Sequence, residues 1–299
     1  MFNIIGKSKI WFALSLTMIV LSFAALIVWK LDLGIDFKGG SLMELNFTAN
    51  RPEQNEVNQL LQTAGVQGNI QIQPAKDTSY IIRTEPLDEE IHEKISTELK
   101  NKYSDQYRED RFETIGPIIG RELKTKSIWS VIIVLLAIIS YIAFAFRKVS
   151  APVESWKYGT AAVMALIHDL IIATGAYTIM SHFMGWQVDS LFITALLTVL
   201  GFSVHDTIVT FDRIRELLRK EQHKTFIEIV NDSVNQTITR SLNTTITTLL
   251  VLVAIFVFGG PTIKGFVFTL MIGITIGTYS SIFIASPLLV SWFNRHNNS

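Results

Sequence analysis

Residues 10–29 read IWFALSLTMIVLSFAALIVW, an uncharged run preceded by Lys7 and Lys9 and followed by Lys30. How this stretch is read decides the fold. A helix rises about 1.5 Å per residue and the hydrocarbon core is about 30 Å thick, so about 20 apolar residues span it. A secretory signal peptide has a shorter apolar core and ends in small residues at a cleavage site. This run instead continues to Val28-Trp29-Lys30 and shows no such site. An uncleaved membrane anchor is the better reading, and it puts the segment after it on one side of a bilayer or the other.

Outward from this anchor, the chain repeats the signal. Ser127–Phe146, Ser241–Ile263 and Gly265–Asn294 are also free of Asp, Glu, Lys and Arg, and the last is long enough to tilt or to run on along the interface. Tyr158–Ser181 and Asp189–Phe211 are apolar but carry His168-Asp169 and His205-Asp206. Six spans are expected. Composition agrees: 49% of the 299 residues are hydrophobic and only 17% charged, against about 25% charged in an average soluble domain. The formal net charge is zero, which gives no support to a nucleic-acid partner, and the absence of cysteine excludes disulfides and thiol chemistry.

The neutral total hides an asymmetry that fixes orientation. Residues 31–125 hold 17 acidic and 11 basic side chains, so the remainder carries the opposite excess. Basic residues gather at Lys7/Lys9, at Arg147/Lys148/Lys157, from Arg213 to Lys224, and at Arg295, all on one side if there are six spans. The short opposite loops hold only Asp189 and Lys264. The positive-inside rule places both termini in the cytoplasm and residues 31–125 outside. The expected division is therefore 1–30, 31–125 and 126–299: first span, external domain, and spans two to six.

Within the external segment, Leu42–Phe47 alternates with period two, as a half-buried strand does. Pro52 opens a helix with Val57, Leu60, Leu61 and Ala64 on one face, and Gly65 closes it. Asn69–Gln73 and Ser79–Thr84 read as strands around a turn through Pro74–Thr78, Pro86 opens a helix carrying Ile91, Ile95 and Leu99, and a last strand fits Arg111–Ile115. The order β-α-β-β-α-β predicts an α+β ferredoxin-like sandwich. Glu89, Glu90, Glu93 and Glu98 read as the solvated face of its second helix. The predicted fold is thus a six-helix membrane bundle with one inserted α+β extracytoplasmic domain.

A charge at mid-bilayer costs about 2.5–3.5 kcal/mol even on lenient insertion scales, so each one needs a partner or a hydrated path. Asp206 lies towards the cytoplasmic end of the fourth span, and Arg240 opens the antiparallel fifth, so the two are expected at similar depth with opposite charge. One reading is a static ion pair, or an Arg240 that merely snorkels. The other is a hydrated proton relay, favoured by the hydroxyls nearby: Ser203, Thr207 and Thr210 around Asp206, then Ser241, Thr244, Thr245, Thr247 and Thr248 after Arg240. His168-Asp169 is a supporting candidate, because neighbours on a helix point about 100° apart. Asp212 sits at the membrane exit, where charge is cheap. No metal-ligating pattern stands out. Gly39-Gly40 lacks a phosphate-loop pattern and reads as a turn into the first strand, as Gly259-Gly260-Pro261 does between spans five and six.

The motifs, taken in order, are specific. Leu33-Gly34-Ile35-Asp36-Phe37-Lys38-Gly39-Gly40 with Glu44-Leu45, Ala165–Asp169, Gly201-Phe202-Ser203-Val204-His205-Asp206-Thr207-Ile208-Val209, Asp212-Arg213-Ile214-Arg215-Glu216, Arg240–Thr245 and Phe258–Pro261 together resemble the SecD/SecF family of protein-export membrane proteins, within the resistance-nodulation-division superfamily. The resemblance implies half of a twelve-span unit completed by SecD, association with the SecYEG channel and YajC, an unfolded preprotein as substrate, and residence in the bacterial inner membrane. It implies Asp206 and Arg240 in a proton pathway driven by the proton-motive force, with no cofactor and no covalent catalysis. It also marks Gly34, Asp36 and Gly201 as motif positions. His205 departs from the family, which usually has Asn there. A small-molecule or lipid exporter of the same superfamily and a non-energised scaffold are the rival readings.

Overall fold

A computed structural model describes residues 2–48, 51–75, 78–146 and 153–297; Arg147 and Lys148, part of the basic pattern, fall outside them. The chain divides into two compact units. One comprises Met1–Leu31, Ser130–Trp186 and Leu191–Ser299, the other Asp32–Trp129 with Gln187–Ser190.

The first unit is helical. Helix α1 spans Ser8–Val28. Later come α5 (Pro117–Ala145), α6 (Ser155–Met184), α7 (Ser190–Lys220), α8 (Phe226–Phe258), α9 (Lys264–Ser280) and α10 (Ser286–Asn297), the last two joined by a π-helical turn over Ser281–Ala285. Six helical stretches among the described residues are long and apolar enough to cross a membrane. The helices outrun the apolar runs that announce them. Helix α7 continues through the charged Asp212–Lys220 stretch, and α8 starts well before Ser241, behind a capping box in which the Thr225 hydroxyl and Glu228 carboxylate satisfy each other's backbone N–H groups. Conversely, α8 stops at Phe258 because Gly259-Gly260-Pro261 forms a turn, so Ile263 belongs to the next segment.

Burial is uneven. The third and sixth spans are among the most enclosed, whereas the second presents Ile132, Ile133, Leu136, Tyr141 and Phe144 outward. Small residues explain the close packing. A Cβ on Gly175 of α6 would lie 2.3 Å from the Cβ of Ser22 on α1, and one on Gly273 of α9 would lie 2.2 Å from a Val199 methyl on α7. At one end of the bundle, Phe146, Tyr158 and Phe211 interlock, with Tyr158 and Phe211 edge to face at 5.3 Å.

The second unit is an antiparallel four-stranded sheet with two long helices. Its elements are the short helix α2 (Ile35–Lys38), β1 (Gly40–Phe47), α3 (Gln54–Thr63), β2 (Gln71–Ala75), β3 (Ser79–Thr84), α4 (Glu89–Tyr103) and β4 (Tyr107–Ile115). The strand order is β2-β3-β1-β4. Val57, Leu60 and Leu61 of α3 and Ile95 and Leu99 of α4 close over Met43, Leu45, Tyr80 and Ile82 of the sheet. The period-3.6 and period-2 patterns therefore meet in one core. Asp88, rather than Pro86, opens α4: its carboxylate accepts the Ile91 N–H at 2.9 Å, an N-cap that Pro86 cannot provide. The four glutamates of α4 are solvent-exposed.

Candidate functional site: a buried carboxylate and hydroxyl cluster

On α7, Ser203, Asp206, Thr207 and Thr210 recur at i, i+3, i+4 and i+7 and so share one face, which is buried. Helix α6 turns His168 and Asp169 inward, Asp169 with no exposed surface at all. The sixth span supplies Thr278, Ser280 and Ser281. The polar side chains of these segments bond to one another. The Ser203 hydroxyl donates to Asp169 Oδ2 at 2.6 Å and the Ser280 hydroxyl to the same oxygen at 2.8 Å. His168 Nδ1 stands 2.9 Å from Asp169 Oδ1. Asp206 Oδ2 accepts from Thr278 at 3.0 Å, and Thr278 in turn meets Thr245 of α8 at 2.5 Å. Thr207 and Ser281 hydroxyls pair at 2.8 Å. Among the described residues, His168 Nε2 and, elsewhere on α6, the Tyr158 hydroxyl are buried and unpartnered.

This geometry revises the sequence reading twice. The sixth span, which carries no candidate residue there, enters the site: its Thr278-Tyr279-Ser280-Ser281 run touches both buried carboxylates. That signal was visible as four consecutive polar residues inside a long uncharged stretch. The second revision concerns Asp206 and Arg240, which form no ion pair among the described residues. Asp206 is met by a hydroxyl, and by His205 Nδ1 at 3.8 Å. Arg240 is exposed, at the wall of a groove of about 320 Å³ with Asp212, Arg213, Glu216 and Gln236. Depth along the membrane is readable from sequence, but azimuth is not. The buried face of α8 runs through Ser233, Thr237, Ser241 and Thr245, and Arg240, one residue before Ser241, is turned about 100° away from it.

The remaining candidates fall in distinct places. His205 points outward, with 59% of its side chain exposed, beside a buried Asp206. Thr244 bonds back to the Arg240 carbonyl at 3.0 Å, as helix threonines do, whereas Thr245 joins the cluster. Asp212 pairs with Arg215. Gly201 has nothing within 4 Å of where its Cβ would be. Gly259 and Gly260 form the turn after α8.

In the second unit, the early motif is a folding element. Gly34 N–H donates to the Val188 carbonyl and Val188 N–H to that of Asp32, each at 2.8 Å. The Asp36 carboxylate accepts the Ser190 N–H at 2.8 Å, capping the start of α7. Gly39 and Gly40 have φ of +81° and +142°, and a Cβ on Gly40 would lie 2.7 Å from the Thr84 carbonyl oxygen, so the turn admits only glycine. Burial pushes the Asp32 carboxyl up, yet the hydrogen bonds from Lys38 at 2.7 Å and Gln187 at 2.6 Å outweigh it and hold the group below the ordinary carboxylate range.

Among the described residues no group of three His, Cys, Asp or Glu side chains could hold a metal ion. The cluster contains carboxylates, hydroxyls and an imidazole, which can accept, donate and pass protons.

Comparison with known proteins is consistent along the whole chain. Residues 94–295 match the family model "Protein export membrane protein SecD/SecF, C-terminal", and residues 25–50 match "SecD/SecF GG Motif". The protein translocase subunit SecF of Thermobaculum terrenum is 42% identical over 99% of this chain and 95% of that protein. The SecF subunit of Anaerolinea thermophila is 40% identical over 98% and 94%. The crystal structure of SecDF, a translocon-associated membrane protein from Thermus thermophilus, superposes with a TM-score of 0.84 at 31% identity, covering 98% of this chain and 39% of that one. With motifs, fold and length in agreement, the chain belongs to the SecD/SecF family of protein-export membrane proteins, a multi-pass membrane component of protein translocation.

Proposed function

We propose that this chain couples the proton-motive force to late steps of preprotein translocation across the bacterial inner membrane, as one half of a unit completed by SecD. The observation that carries the reading is Asp206, a carboxylate buried inside a membrane span and held by the Thr278 hydroxyl rather than by Arg240. A group so placed can exchange a proton without breaking an ion pair, and each charge moved gains about 2.3 kcal/mol per 100 mV. Arg240 would act on the far side of the relay. It is exposed within an apolar helix, and Asn243, Thr244 and Thr247 extend the same outward polar stripe. Lipid does not accommodate such a stripe, whereas a second set of spans does. The SecDF relative, in which a chain of this type is two-fifths of one polypeptide, supports SecD as that second set.

In this reading the six spans are half of a resistance-nodulation-division type unit, both termini lie in the cytoplasm, and residues 31–125 form a ferredoxin-like periplasmic domain. The strand order β2-β3-β1-β4 and the β-α-β-β-α-β succession support that domain assignment. SecYEG and YajC are the expected neighbours, protons the coupling ion, and no organic cofactor or covalent step is required. Asp206→Asn keeps the volume and the hydrogen-bond capacity but cannot release a proton. With its partner and the channel in proteoliposomes, it should lose the stimulation of export by a pH gradient while remaining inserted. Normal stimulated export by the variant would reject the proposal.

A further inference from the structure

His168 and Asp169 are both buried in the helical unit, and the relay through Asp206 leaves them without a task. Asp169 sits fully buried near the middle of α6, and among the described residues its carboxylate has no cation within 4.0 Å other than the His168 ring. The donors around it are complete: Ser203 and Ser280 on Oδ2, and His168 Nδ1 on Oδ1. With Nδ1–H committed to Asp169, the lone pair of a neutral ring lies on Nε2. That atom is buried and has no hydrogen-bond partner.

The surroundings offer no other occupant. Tyr279 of α9 lies over the ring, at a centroid distance of 6.3 Å, but its hydroxyl donates to the Trp11 carbonyl at 3.0 Å and meets Ser15 at 3.2 Å on α1. From α7, Ser203 faces Asp169, and His205-Asp206 lie further along the helix. The unprotonated pair therefore carries a net negative charge in a membrane interior, which is costly. A proton on Nε2 would make the pair net neutral.

We propose that His168 and Asp169 are a second proton-binding site, with His168 Nε2 as the atom that takes the proton. Asp169 is the counter-charge, and Ser203 and Ser280 are positioning residues that keep its carboxylate turned to the ring. The step is a plain protonation: a proton from the hydrated path adds to the Nε2 lone pair, giving an imidazolium, and leaves from the same atom. Gly277 makes the arrangement possible, because a Cβ there would lie 2.8 Å from that of Ser203 and push α7 and α9 apart. This site rests on the proton-coupled reading and deepens it: two buried acceptors, Asp206 and His168, would be loaded from one hydroxyl network.

The test uses the chain with its SecD partner in lipid nanodiscs, labelled with ¹⁵N-histidine, and identifies the His168 signals by their loss in His168→Gln. Formation of imidazolium at His168 as the pH is lowered, altered when Asp169 is replaced by Asn, is the expected result. A His168 ring that stays neutral at every pH at which the protein remains folded overturns the proposal. Export is then compared with and without a pH gradient. His168→Gln should cut the gradient-dependent component by about tenfold or more and flatten its pH profile. An unaltered profile overturns the second site. Loss in Asp206→Asn alone would leave the coupling reading standing without it, and no loss in either variant would remove both.

Discussion

Replacing Gly273 by Ala tests whether close approach of the fourth and sixth spans builds the cluster. The added Cβ would fall 2.2 and 2.7 Å from the two Val199 methyls and 3.0 Å from its Cβ. Because the Val199 Cβ itself is within reach, rotating the side chain gives incomplete relief and the helices must move. Overpacking of this kind costs about 1–3 kcal/mol. Moving apart would also loosen the three side-chain hydrogen bonds between α7 and the sixth span, namely Thr278 to Asp206 at 3.0 Å, Thr207 with Ser281 at 2.8 Å and Ser281 to the Ser203 carbonyl at 3.3 Å. At about 0.6 kcal/mol each in a membrane, they add roughly 2 kcal/mol at most. The better helix propensity of Ala returns about 1 kcal/mol. The net expectation is a loss of roughly 1–3 kcal/mol. Gly201→Ala, on the same α7 but with open space around its Cβ, is the matched control. Reversible unfolding of the full chain in bicelles would measure both. Equal stability of Gly273→Ala and wild type would refute the reasoning.

Two further outcomes concern groups outside the membrane. Thr225→Ala removes the hydroxyl of the capping box at the start of α8, so the first turn should fray. Faster amide exchange at Phe226–Glu228, with about 1 kcal/mol lost locally, is expected, and unchanged protection would contradict the cap. Asp32 is a carboxyl whose folded value lies below its ordinary one, since the Lys38 and Gln187 bonds outweigh burial. The stability it contributes is therefore present above the unfolded value of about 4 and is lost as pH falls through the lower folded value. Acidification below about pH 4 should increase amide exchange at Val188 and Gly34 in wild type, and much less in Asp32→Asn, which lacks the titrating group.

How far these conclusions were legible in the sequence depends on which physical term sets each feature. The transmembrane helices follow from transfer free energy, which sums over a local window, and so their existence and number are readable from apolar runs. The strands and helices of the second unit follow from periodicity, which is local too: Leu42–Phe47 and the Val57, Leu60, Leu61 face lie where their patterns place them. Element ends follow from capping. Asp88 and the Thr225/Glu228 box were missed because a polar cap and an ordinary polar loop look alike until the backbone is known.

The candidate site shows the limit more sharply. Sequence by itself determined that Asp206, Arg240 and His168-Asp169 lie in or beside membrane spans, because a charge in an apolar run stands out. Only the tertiary structure decided what each one meets. Arg240 turns out of the chain and Thr278, Ser280 and Ser281 turn in, since the contacts of a side chain depend on helix rotation and on which helices approach most closely. Those choices rest on glycines at 273 and 277 and on the packing of α9 against its neighbours, sums over residues far apart in the chain that no local window contains.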